Sequence, residues 1–173
     1  MRLISRTPLT MQNAVTDGDI ADHLRITSTE APSVMRFAVV AAQELEQFIP
    51  IALLSQTIVA QGIPERDVML YLPVGPASAQ TATVEAEDGT ALPHLFTPGA
   101  RPAVTRDEPH EGVVTVTYTA CHGTETADVP ADLAHAVLEQ SLRLYDLRGD
   151  IEAPATPAPA FSRIAARYRR VSL

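Results

Sequence analysis

The chain has 173 residues and a mass of 18.6 kDa, room for one ordinary domain, and its 46% apolar content is enough to build a core. Aromatic residues make up only 5% and Trp is absent, which argues against a base-stacking platform for single-stranded nucleic acid. One cysteine, Cys121, excludes an internal disulfide framework and a four-cysteine zinc site.

The formal charge is −8, and its distribution says more than its sum. All 13 basic residues are Arg. Residues 17–152 hold all 21 acids against seven Arg, whereas residues 153–173 hold four Arg and no acid. An acidic body with a basic end argues against wrapping nucleic acid, because phosphate binding is driven by Lys and Arg. No run of eighteen apolar residues occurs, and the first fifteen residues lack the continuous apolar segment of a signal peptide. The expectation is a soluble protein of a reducing cytoplasm with no membrane contact.

In chain order, Thr16-Asp17-Gly18-Asp19 reads as a helix start, with an acid three residues after a Thr. It opens a short helix with Ile20, Ala21 and Leu24 on one side. A second helix follows from Pro32, a residue suited to a first helical turn because its missing N–H has no partner to lose there. Val34, Phe37, Ala38, Ala41, Leu45, Phe48 and Ile49 make one stripe at helical period, and Pro50 ends it.

From about 53 to 120 the pattern becomes strand-like. Thr57–Val59, Val68–Leu72, Ala82–Ala86, Thr90–Leu92 and Gly112–Thr119 are β-prone runs, and Asp88-Gly89 marks a hairpin turn. Pro and Gly recur too often here for helices, so this middle is a small, mostly antiparallel β subdomain. Helix returns at Pro130 and runs to about 148, with Leu133, Ala134, Val137, Leu138, Ser141, Leu144 and Tyr145 as its buried stripe and Gly149 as its cap. Residues 152–160 carry three prolines and read as an extended linker.

The linker leads to Phe161, Arg163, Ile164, Arg167, Tyr168, Arg169 and Arg170. If this segment is helical, Phe161, Ile164, Ala165 and Tyr168 share a face, with Arg beside or opposite it. The pattern suits a docking arm that buries apolar residues in a partner's groove and pairs its Arg with acids there. Such an arm is mobile in the free chain, and the body folds without it.

No glycine-rich phosphate loop or Gly-x-Ser-x-Gly elbow is present. Cys121 and His122 are adjacent, and neighbours on a strand point to opposite faces, a poor arrangement for a nucleophile and its base. His23, His94, His110 and His135 are scattered without metal-site spacing. The acids at 85, 87 and 88 and at 107, 108 and 111 read as solvated turns. No catalytic residue, cofactor site or metal site emerges.

Four stretches together resemble a known family. They are Asp19–Ile26, with its His23-Leu24-Arg25; Ala41–Glu46 through Leu53–Thr57; the bend Leu72-Pro73-Val74-Gly75-Pro76; and Val114–Ala120 followed by Val129–Ala136. In this order they resemble the head–tail connector (adaptor) family of long-tailed phages and gene transfer agents. Two departures are Cys121-His122-Gly123 after the last strand and Arg148-Gly149-Asp150 after the last body helix.

The resemblance implies an α+β fold, a helical bundle of two N-terminal helices and a C-terminal helix with an inserted antiparallel β subdomain. It implies a connector domain over residues 1–150, while residues 151–173 read from their own composition as a Pro-rich linker and an Arg-rich docking arm. It also implies a non-enzymatic homo-oligomeric ring, typically a dodecamer. The ring lies between the portal protein and a tail-side stopper in the neck of a particle assembled in the bacterial cytoplasm. DNA passes through the lumen without specific binding. Alternatives are another neck component, stopper or tail terminator; a small enzyme using Cys121 and His122; and a DNA-binding protein using the Arg-rich tail.

Overall fold

The computed structural model describes residues 1–64, 69–77, 82–106, 108, 110–150 and 156–169. The chain divides into two compact units, Met1–Met11 with Leu54–Thr124, and Gln12–Leu53 with Glu125–Leu173. The division differs from the expected boundary at residue 150. The helix beyond it, Pro159–Tyr168, belongs to the second unit, because it packs on the other helices of that unit.

The first unit is built from two antiparallel sheets. Strands β1 (Arg2–Pro8), β2 (Gln56–Gly62), β7 (Val114–Ala120) and β4 (Thr83–Ala86) form one, in the order β1-β2-β7-β4. Strands β3 (Met69–Tyr71), β6 (Ala103–Thr105) and β5 (Leu95–Thr97) form the other, in the order β3-β6-β5. In β2 and β7 the side chains alternate between buried and half-buried, as the period of two in their sequences requires. Ile58, Ala60, Val84, Val116 and Tyr118 are all essentially buried on the inner face of the first sheet. Leu70 and Val104, paired across β3 and β6, are buried on the second. The Tyr118 hydroxyl donates to the Val74 carbonyl (2.9 Å) and accepts from the Val74 N–H (3.0 Å), so a buried polar group is satisfied twice. The expected hairpin is present: Gly89 has φ +82°, and the Ala86 N–H donates to the Thr90 carbonyl at 2.9 Å.

Three strands escaped the sequence pattern. β1 is an edge strand with nearly every residue exposed, so it has no apolar alternation to announce it. β5 and β6 have three residues each, too short for a periodic signal.

The second unit is helical: α1 (Asp17–Leu24), α2 (Ala31–Phe48), α3 (Ala131–Asp146) and α4 (Pro159–Tyr168), with a short helical turn at Thr126–Asp128. Thr16 caps α1 in a reciprocal box. Its Oγ1 accepts from the Asp19 N–H at 3.1 Å, and its own N–H donates to Asp19 Oδ2 at 2.8 Å. The α1 helix ends on Arg25 in the left-handed region at φ 54°. α2 packs on α3 and on α1, and α4 packs on α3 and α2. Ile20, Ala38, Ala41, Leu45, Leu133 and Val137 form the common core, and the Phe37 and Tyr145 rings meet edge to face at 5.9 Å.

Several expectations about these helices need correction. The buried side of α3 is Leu133, Ala136, Val137, Gln140 and Ser141, so the stripe is rotated and Leu138 and Leu144 are only half-buried. Phe48 is 43% exposed although it continues the α2 stripe, because it sits at the last turn. The helix of the C-terminal arm takes in Pro159 and Ala160, expected to belong to the extended linker, and the arm is not free of its own chain. It is a helix that starts at Pro159 and lies on its own chain, since burying Phe161 and Ile164 at home removes their apolar surface from water.

Candidate functional site

The residues singled out for docking are those of α4. Its attachment begins before the helix, where Gln140 on α3 links two elements. Gln140 Nε2 donates to Glu44 Oε2 at 2.7 Å, and its Oε1 accepts from the Ala158 N–H at 2.8 Å. Both ends of a buried amide are thereby used, which fixes where the chain enters α4. Arg143 adds to this clamp, its Nη2 donating to the Thr156 hydroxyl at 2.9 Å.

Within α4 the apolar residues fall on one face, as their spacing predicts. Phe161 is 2% exposed, Ile164 1% and Ala165 0%. The Phe161 ring lies 5.7 Å from that of Phe48, and the Arg169 guanidinium sits over the Phe48 ring, 5.5 Å from its centre. The Tyr168 hydroxyl donates to Asp132, with oxygens at 2.8 and 3.0 Å. Arg167 Nη2 lies 3.6 Å from Asp132 Oδ2. Burial, and then the hydrogen bond and charge of Asp132, push the Tyr168 phenol up to about 12.

The predicted site residues therefore divide. Phe161, Ile164 and the Tyr168 hydroxyl are engaged within the chain. Arg163 and Arg167 are exposed on the outer side of the helix, and Arg169 is exposed at its end. Arg170 lies outside the described residues. The surface that α4 offers is a row of guanidinium groups, suited to carboxylates and phosphates.

Elsewhere the structure brings together residues the sequence left scattered. The His23 and His135 rings meet edge to face at 6.0 Å, and their Nε2 atoms lie 3.5 and 3.8 Å from Glu139 Oε1. Among the described residues no group of three His, Cys, Asp or Glu has the arrangement to hold a metal ion. Cys121 is a half-buried residue just after β7, outside any disulfide, its N–H bonded to the Pro76 carbonyl at 2.9 Å, and His122 follows it in the same chain segment. Of the acids, Glu85, Glu87, Asp88, Glu108 and Glu111 are exposed, and Asp107 lies outside the described residues. No helix among the described residues is long and apolar enough to cross a membrane.

Sequence reasoning missed Arg106, which follows β6 and is 5% exposed. Its Nη2 donates to the Glu108 carbonyl at 2.8 Å, while its Nε and Nη1 are buried without a partner among the described residues. Only the strand β6, itself unread, places this side chain inward.

No protein-family model matches the sequence, and no curated protein matches it. Solved structures do. The fold is that of chains found in the particles called gene transfer agents. A chain of the native particle's neck, computed with C12 symmetry, aligns with a TM-score of 0.76 at 23% identity, over 100% of this chain and 97% of that one. A chain of the native virion aligns with a TM-score of 0.76 at 24% identity, and one of the empty particle's neck, computed with C6 symmetry, with 0.75 at 23%. Both cover 98% of this chain and 97% of theirs.

Proposed function

We propose that the chain is a non-enzymatic structural component of the neck of a phage-like particle. Its role is that of an adaptor whose copies form a ring, a dodecamer, between the portal protein and a tail-side stopper. The observation that carries the reading is the full-length fold match to neck chains at a TM-score of 0.76, with one of those necks computed in C12 symmetry. The acidic body supports a lumen through which DNA slides, because like charge lowers the affinity of a duplex for the wall.

Docking on the portal goes through α4 and the residues after it. Phe161, Ile164 and Tyr168 hold the helix on its own body, and the guanidinium groups of Arg163, Arg167, Arg169 and Arg170 are the ones that pair with acids of the portal. The test uses heads from cells lacking this chain, supplemented with wild type or with the double variant Arg163→Glu, Arg170→Glu. Wild type should add a ring of density at the portal vertex by electron microscopy. The variant should melt normally and fail to attach. Heads that gain no density from wild type would overturn the adaptor reading, and normal attachment of the variant would overturn the docking face.

A further inference from the structure

His94 is half-buried and leads into β5, and both nitrogens of its ring face main-chain carbonyls. Nδ1 lies 2.9 Å from the Leu92 oxygen, and Nε2 lies 3.0 Å from the Ala82 oxygen. A carbonyl oxygen only accepts, so each nitrogen must donate for both bonds to form. A neutral imidazole has one N–H, and in either tautomer its other nitrogen turns a lone pair toward an oxygen. Only the imidazolium donates at both ends. The two carbonyls also belong to a different element from His94 itself. Ala82 directly precedes β4, and Leu92 lies on the return of the β4 hairpin, its N–H bonded to the Val84 carbonyl at 2.8 Å. Both therefore lie at the β4 edge of the first sheet, whereas His94 opens the edge strand of the second.

We propose that His94 is a proton-operated clasp between the two sheets of the first unit, closed when the ring is charged and half-open when it is neutral. The charged groups on the neighbouring elements are Glu85 on β4, Glu87 and Asp88 in its turn, Arg101 and Arg106 flanking β6, and Glu108, His110 and Glu111 after it. β3 and β7 carry none. Asp88 is engaged by the Thr90 N–H at 2.9 Å, and among the described residues no carboxylate forms an ion pair with His94. The two carbonyls are thus what distinguishes its charged from its neutral form. An imidazole changes charge between about pH 5 and 8. The folded chain holds the charged ring by two bonds that the unfolded chain lacks, so the clasp stabilises at the acidic end of that range and is lost as pH rises through it. The inference is independent of the neck reading.

The experiment follows the isotope-labelled full chain by NMR from about pH 5 to 8. At the acidic end each ring nitrogen of His94 should show a coupling across its hydrogen bond, one to the Leu92 carbonyl carbon and one to that of Ala82. Toward the alkaline end one coupling should vanish. Protection of the Leu92 amide, corrected for the intrinsic pH dependence of exchange, should fall about tenfold, the worth of one charge-assisted bond. In His94→Gln, whose donors sit on a single atom, protection should be low and level across the range. A single coupling at the acidic end, level protection in the wild type, or the same fall in His94→Gln would overturn the proposal. The wild-type couplings and protection decide the matter even where the variant does not fold.

Discussion

Tyr118 and Tyr168 show how one hydroxyl can do two different jobs. Tyr118 is 1% exposed, and its hydroxyl accepts from the Val74 N–H and donates to the Val74 carbonyl. Tyr118→Phe leaves that N–H and carbonyl buried without their partner and should cost about 1–3 kcal/mol in chemical denaturation. Tyr168 is a half-buried phenol held by Asp132, with its pKa raised from 10.0 to about 12. The folded chain thus keeps a proton that the unfolded chain gives up first. The stability this contributes is fully present below about pH 10 and is lost as pH rises toward 12. Denaturant midpoints across that range should fall more steeply for wild type than for Tyr168→Phe.

Helices set the next scale, and α4 is the informative one. A free arm could be removed without harm, but this helix covers α2 and α3 with Phe161, Ile164 and Ala165. Phe161→Ala should destabilise by about 3 kcal/mol, the usual cost of emptying a large buried ring site. Truncation after Ala160 should lower the melting temperature further and expose apolar surface to a hydrophobic dye. In α3 the difference between two leucines is decisive. Leu133 is 0% exposed and Leu138 half-buried, so Leu133→Ala should cost about 2–5 kcal/mol and Leu138→Ala clearly less. Equal losses would mean the helix presents a different face.

For the whole molecule the relevant property is charge. On the proposed adaptor reading, the acidic body, with 21 acids against seven Arg over residues 17–152, lines the passage for DNA, and the Arg-rich end docks. Reversing Glu85 and Glu87 to Arg leaves the core untouched, since both are exposed. Such particles should assemble normally and deliver less DNA, measured as transfer per particle. Unchanged delivery would remove the sliding argument. Of the two compact units, one holds the sheets and the other the helices.

Local signals in the chain determined much of this. The capping box at Thr16, the stripe from Val34 to Ile49 and the Asp88-Gly89 turn are each written in contiguous residues, because helix period, caps and turn dihedrals depend on near neighbours. The amphipathic face of α4 was legible for the same reason. What covers that face was not, since amphipathicity specifies that an apolar side be buried and leaves the partner open. Only tertiary packing decided that Phe161 meets Phe48, that β1 joins β2 although the first helices intervene in sequence, and that Arg106 is buried. These are contacts between distant segments, and their energies depend on which surfaces compete, a quantity no local pattern contains.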